Sequence, residues 1–155
     1  MKTLKLLSIV TVLILAFVLV SCSDRTPATL EDFTKAAEDA GYTVEDITQL
    51  AETNGAAETV LGAYKEDAEY IIAFWKLNSD DNGYASFEAN QASFDDMYPD
   101  ADFSKSMNVG NYDYYEITSG DNFCVVSRIG DTMIYCVALK ENKSDITSLI
   151  DTLGY

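Results

Sequence analysis

The chain has 155 residues with 26 acidic and 10 basic side chains, no histidine and a formal net charge of −16. This charge opposes binding to nucleic acid and to anionic lipid headgroups, which carry dense negative charge themselves. Without histidine, the chain has no Ser-His or Cys-His catalytic pair and no imidazole metal site. A carboxylate pair could still supply general acid–base catalysis, but 26 acids form too many close pairs to identify one. We therefore expect a protein that is not an enzyme, and we assign it no catalytic residue, metal or cofactor.

Residues 1–21 have the composition of an export signal. Two lysines in the first five residues precede an uncharged, largely apolar run from Leu6 to Val20. The run closes in Leu19-Val20-Ser21-Cys22, which resembles the lipobox of bacterial lipoproteins. That resemblance implies that Cys22 becomes the mature N-terminus and carries fatty acids such as palmitate. The alternative is an uncleaved transmembrane helix, for which Leu4–Val20 is just long enough.

Both interpretations predict a protein at the extracytoplasmic face of the cell membrane, and acylation at Cys22 would make the membrane a partner through the lipid anchor. Removal of residues 1–21 leaves 134 residues, which is enough for one domain and too short for a two-lobed solute-binding protein. We expect residues 22–28 to form the lipidated N-terminus and a short tether, and residues 29–155 to form a single α+β domain. The removed segment contains two lysines and no acid, so the mature charge would be −18.

The first part of this domain has the periodicity of a helix, three strands and a second helix. Thr29 is the expected N-cap of the first helix and Gly41 its stop. The strand that begins at Glu69 is apolar on both faces, which indicates a central, covered strand. Pro99 ends the second helix. In chain order, the predicted bounds are Thr29–Ala40, Tyr42–Ile47, Thr59–Lys65, Glu69–Leu77 and a helix that follows the polar segment Asn78–Gly83 and runs to Tyr98.

Three closely spaced strands and a last helix follow. The turns at Gly120 and Gly130 have hairpin chemistry, and Ser144 and Gly154 are the expected cap and stop of the last helix. The predicted bounds are Asn111–Thr118, Asn122–Ile129, Thr132–Leu139 and Asp145–Leu153. The order α-β-β-β-α-β-β-β-α, with one further short strand left open within residues 100–110, predicts an α+β fold. In it, an antiparallel β-sheet meander carries helices packed on one face.

Cys124 and Cys136 are the only other cysteines, and a disulfide has to be considered outside the cytosol. If Gly130-Asp131 is a two-residue turn, Ile129 pairs with Thr132 and the two sulfur atoms lie on opposite sides of the sheet. A three-residue loop would instead place the cysteines directly opposite each other. Glycine at the first turn position favours the two-residue form, and therefore two separate buried thiols.

The segment Asn78-x-Asp80-x-Asn82-Gly83 resembles the first half of an EF-hand calcium loop. The bidentate glutamate of such a loop belongs six residues after the glycine, where this chain has Ala89. A turn that caps the second helix is the better interpretation, and we predict no metal site here.

Tyr112, Tyr114 and Tyr115 lie in one predicted strand, with Tyr112 and Tyr114 on one face and Tyr115 on the other. In an exposed strand they would form a binding surface for a peptide or a sugar. Alternatively, one face belongs to the core and the other to cross-strand packing, which is the interpretation we favour. These tyrosines are the only binding residues that the sequence nominates besides Cys22.

Several segments of the domain occur together in a known kind of protein. Phe123–Tyr135 contains an Arg-hydrophobic-Gly-Asp-Thr hairpin, Leu153-Gly154-Tyr155 follows the last helix, and Gly41-Tyr42-Thr43-Val44 follows the first. Together they resemble small predicted lipoproteins of anaerobic Gram-positive gut bacteria over most of the mature chain. The resemblance implies a fold and a lipid-anchored location, and it transfers no residue role beyond acylation of Cys22.

The expected function is that of a membrane-anchored, non-enzymatic domain that binds a protein, a peptide or a cell-wall component. One alternative is an accessory or inhibitor-type lipoprotein that acts on an envelope enzyme or transporter. Another is a small hydrolase that uses carboxylates. Two acids converging in a pocket would favour the hydrolase, and a shallow sheet face lined by tyrosine would favour binding.

Overall fold

A computed structural model of the protein describes residues 24–51 and 54–155. The predicted signal, the alternative membrane helix and Cys22 lie outside these residues. Within the described ranges, no helix has both the length and the apolar character needed to cross a membrane.

In these ranges, seven strands form one antiparallel sheet: β1 Thr43–Asp46, β2 Ala57–Tyr64, β3 Ile72–Leu77, β4 Phe103–Val109, β5 Tyr112–Ser119, β6 Asn122–Ile129 and β7 Thr132–Leu139. They lie in the order β1-β2-β3-β7-β6-β5-β4, so two meanders, β1–β3 and β4–β7, join where β3 pairs with β7. The helices are α1 Leu30–Asp39, α2 Asp80–Met97 and α3 Lys143–Thr152, and a 3-10 turn, Lys140–Asn142, precedes α3. The predicted α+β class, antiparallel sheet and element order are confirmed, and the short strand left open is β4.

Three two-residue turns of the same type connect the strands from β4 to β7. Each begins with a glycine at positive φ, +62° at Gly110, +56° at Gly120 and +57° at Gly130, and continues with Asn or Asp. Glycine reaches this left-handed region without steric penalty, and a glycine-first turn matches the right-handed twist of the strands that it joins. The turns therefore fix the register, and Ile129 pairs with Thr132 as predicted.

This register places Cys124 and Cys136 on opposite sides of the sheet. Cys124 lies opposite Val137, and Cys136 lies opposite Val125. Both cysteines are buried and neither forms a disulfide, so the prediction of two separate thiols is confirmed. Burial raises the pKa of the Cys124 thiol to about 11 and that of Cys136 to about 12, because the interior disfavours the charged thiolate.

The helices cover both faces of the sheet, which corrects the expectation that they pack on one. α1 and α3 pack on one face, here called the α1/α3 face, with Phe33 and Ile150 in its core. α2 packs on the opposite face, the α2 face, through Phe87 and Phe94. The reason is that β6 and β7, in the middle of the sheet, carry apolar side chains on both sides, so both sides require cover. α2 also has to cross the sheet, since it connects β3 to the far edge strand β4.

The ends of α1 are as predicted, and the start of α3 is not. Thr29 caps α1 in a capping box with Asp32, and Gly41 follows the helix at a φ of +82°. The predicted cap of the last helix, Ser144, lies inside the helix, which begins one residue earlier and has no side-chain cap. The 3-10 turn Lys140–Asn142 leads directly into α3 and takes the place of a cap.

We expect both thiols of the folded domain to be unreactive. In a Cys22→Ser variant, which leaves Cys124 and Cys136 as the only cysteines, a maleimide should label neither at pH 7 and both after unfolding in urea. The reason is that both thiols are buried and protonated, and the thiolate is the reactive form. Mass spectrometry of the labelled protein counts the free thiols. Labelling in urea that appears only after reduction would reveal a disulfide and contradict the observed register.

Candidate functional site

The three tyrosines of β5 form no exposed binding surface, which corrects the first of the two interpretations. Tyr112, Tyr114 and Tyr115 are 2%, 6% and 5% exposed. Tyr112 and Tyr114 lie on the α1/α3 face and Tyr115 lies on the α2 face, as strand alternation predicts. Two of the hydroxyls bond within the fold: Tyr114 donates to Glu116 at 2.6 Å, and Tyr115 donates to Asp95. The tyrosines are packing residues, because β5 is covered on both sides.

The polar segment Asn78–Gly83 begins α2, which agrees with the helix-capping interpretation. Ser79 Oγ accepts a hydrogen bond from the backbone N of Asn82 at 3.2 Å. Two aspartates in the first turn place negative charge at the positive end of the helix dipole, which stabilises the helix. Gly83 is already inside the helix, where a Cβ would lie 2.5 Å from the carbonyl oxygen of Gly130. In the described part of the chain, no three histidine, cysteine or acidic side chains lie close enough to hold a metal ion.

A groove of about 620 Å³ opens on the α2 face beside α2, and we call it the α2 groove. Its floor is formed by Trp75 and Leu77 of β3 and by Met133 and Tyr135 of β7. The N-terminal half of α2 forms one wall, and the segment before β2 forms the other. The wall residues are Ala51, Asn54 and Ala56 of that segment, and Asn82, Ala85, Ser86, Ala89 and Asn90 of α2. The volume lies within the range of about 300–1,000 Å³ that is usual for small-molecule sites.

The groove is open because the flank of α2 that faces it carries small side chains. Phe87 and Phe94, two helical turns apart, hold the helix over the middle of the sheet. The flank toward the groove carries Ala85, Ser86 and Ala89, which lie at helical spacing. These small side chains leave the space above β3 unfilled.

The described residues that line the groove are uncharged, although 23% of the residues in the chain are charged. Its polar groups are the amides of Asn54, Asn82 and Asn90 and the hydroxyls of Ser86 and Tyr135. Trp75 Nε1 is buried and has no hydrogen-bond partner within the described residues. An unsatisfied buried donor of this kind costs about 1–3 kcal/mol, and a ligand acceptor that reached it would remove this cost.

A buried ion pair fixes the start of α2 and thereby one wall of the groove. Arg128 Nε donates to Asp113 Oδ2 at 2.7 Å across β5 and β6, and both side chains are almost fully buried. The same guanidinium donates through Nη1 to the carbonyl oxygen of Gly130 at 3.0 Å and to that of Asp80 at 3.4 Å. Arg128 thus connects the central strands, the β6-β7 turn and the first residue of α2.

The sequence interpretation did not identify the α2 groove. Two signals were present: Trp75 is the only tryptophan of the chain, and small residues recur at helical spacing along one flank of α2. Neither signal is decisive, because a flank of small residues often lets a helix pack closely on its neighbour. Whether the flank closes or leaves a gap depends on where α2 lies over the sheet, which long-range contacts determine.

Comparisons of the chain with protein-family models, with curated proteins and with solved structures find no match. Acylation of Cys22 therefore stays a prediction from the N-terminal pattern. The case for a molecular role of the domain depends on the geometry and chemistry of the α2 groove.

We expect replacement of Arg128 alone to destabilise the domain strongly. Arg128→Met leaves the buried Asp113 carboxylate without its cation, and breaking a buried pair in this way costs about 3–5 kcal/mol. The double variant Asp113→Leu/Arg128→Met removes both charges and should recover a large part of that loss. Urea unfolding measures the free energy of each variant. Equal losses of unfolding free energy in the single and double variants would contradict a coupled, buried ion pair.

Proposed function

We propose that the protein is a lipoprotein of the extracytoplasmic membrane face, held there by acylation of Cys22, and that its domain binds a ligand without converting it. The α2 groove carries the binding role. It is concave, has the volume of a small-molecule site and combines an apolar floor with a few polar groups. This is the usual composition of ligand sites in proteins.

The lining of the groove favours an uncharged ligand with one apolar face. Trp75 and Tyr135 offer aromatic surface to such a face. The amides of Asn54, Asn82 and Asn90 can both donate and accept hydrogen bonds. A charged ligand would lose its hydration without meeting an opposite charge among the described lining residues, which makes its burial costly. A neutral peptide segment or glycan of the cell wall has the required chemistry.

The arrangement of acids does not favour a carboxylate-dependent hydrolase. Of the described residues that line the α2 groove, none is acidic. The buried acids Asp113 and Glu116 lie outside it and are paired with Arg128 at 2.7 Å and with Lys143 at 3.1 Å. These carboxylates are fixed by cations of the fold and do not converge on a ligand site.

Replacement of Cys22 tests the anchor. We expect Cys22→Ala to abolish incorporation of a labelled fatty acid, because the Cys22 sulfur is the proposed acyl-glycerol acceptor. Cys124→Ala, which removes a buried thiol and leaves Cys22 intact, should be labelled like the parent. Gel detection of the label measures its incorporation into each variant. Labelling of Cys22→Ala equal to that of the parent would contradict the anchor.

Fluorescence of Trp75, the sole tryptophan, reports directly on the α2 groove. We expect neutral wall glycans or neutral peptides to change its emission. Ala89→Phe should weaken their binding about tenfold or more, a loss of about 1.4 kcal/mol, because the added ring fills the groove.

The matched control is Ala92→Phe, which adds the same ring to α2 at an exposed position outside the groove lining. It should bind like the parent. Binding that tolerates Ala89→Phe, or that is confined to charged ligands, would overturn the proposed ligand site. Capture of one stoichiometric envelope enzyme, with no response to neutral ligands, would favour the accessory role instead.

A further inference from the structure

The described residues before α1 are fixed to the domain and do not extend from it as a free tether. The backbone N of Arg25 donates to Asn111 Oδ1, and Asn111 Nδ2 donates to the carbonyl oxygen of Arg25, both at 2.8 Å. The Arg25 guanidinium donates to the carbonyl oxygen of Gly154 at 2.7 Å, and its carbon lies 3.5 Å from the centre of the Tyr112 ring. Three hydrogen bonds and a cation–π contact thus give residue 25 a fixed place on the surface.

These contacts lie at one end of the sheet, which we call the Gly110 end. It carries the turns Gly110-Asn111 and Gly130-Asp131 and the start of α2. Pro27 extends the contact, since its ring lies 3.3 Å from the position of a Cβ on Gly130. The turn Gly120-Asp121 lies at the opposite end. The two ends are separated by the length of a strand, and the eight residues of β5 span about 26 Å.

Cys22 lies three residues before Arg25 in the sequence. A fully extended chain advances at most about 3.6 Å per residue, so the Cα atoms of Cys22 and Arg25 are at most about 11 Å apart. A lipid on Cys22 would therefore bring the Gly110 end to the lipid surface. The opposite end is beyond the reach of the anchor.

We propose that the Gly110 end is a docking surface for the lipid bilayer and that Arg25 is the positioning residue that holds the domain in one orientation. The proposal rests on acylation of Cys22. Val109 is 61% exposed beside the Gly110-Asn111 turn and enters the membrane interface. Asp24 and Asp80 are exposed at the same end and repel anionic headgroups, so the surface fits zwitterionic or neutral lipid.

The test uses the full chain, acylated in cells, purified and reconstituted into phosphatidylcholine vesicles that contain a lipid with a quencher on its headgroup. A fluorophore is attached to Val109→Cys in one sample and to Asp121→Cys, at the Gly120 end, in another. The native thiols of Cys124 and Cys136 are buried and do not compete for the label. We expect several-fold stronger quenching at position 109 than at position 121.

Removal of the Arg25 contacts tests their role. Arg25→Ala combined with Asn111→Ala should reduce the difference in quenching between positions 109 and 121, while the protein still sediments with the vesicles. Lys140→Ala, which removes an exposed cation at the Gly120 end, should leave this difference in quenching unchanged.

The outcomes separate the orientation from the anchor. Equal quenching at both positions in protein that sediments overturns the orientation and leaves acylation standing. A difference that survives Arg25→Ala/Asn111→Ala overturns the role of Arg25. Protein that does not sediment overturns acylation, and the orientation with it.

Discussion

The buried guanidinium of Arg128 fixes the position of α2 on the sheet. Arg128 contacts Asp113 on the neighbouring strand, the β6-β7 turn and the first residue of α2. Because a buried charge is stable only when its partners are in place, these elements are fixed relative to one another. Phe87 and Phe94 then keep α2 over the middle of the sheet. Its small-residue flank therefore lies beside β3, and the groove stays open as a result of an interaction outside it.

Features that depend on residues close in sequence could be predicted. The glycine-first turn at Gly130 determines strand pairing by its own backbone geometry, and the pairing in turn places both cysteines. The N-cap of α1 at Thr29 is equally local. The predicted start of α3 is wrong. The chain leaves β7 through a 3-10 turn that already has helical curvature, so the helix begins before Ser144 and Ser144 does not act as its N-cap.

Features that depend on distant residues could not be predicted. The periodicity of α2 identifies a helix and its apolar side but not the face of the sheet that it covers. Alternation placed Tyr114 and Tyr115 on the correct faces, but their burial depends on elements that lie elsewhere in the sequence. The α2 groove also depends on distant residues, since Trp75 and Ala89 line one groove only because the fold brings β3 beside α2. The sequence predicts Arg25 as part of a tether, because its partners Asn111 and Gly154 lie far along the chain.

The separation of Cys124 and Cys136 has a consequence for how the domain matures. Among the described residues the sheet and its helices are held together by non-covalent contacts alone, with no cross-link between strands. Formation of the sheet therefore does not depend on oxidation of Cys124 and Cys136. A reducing environment finds no disulfide to break between the strands that carry these two thiols.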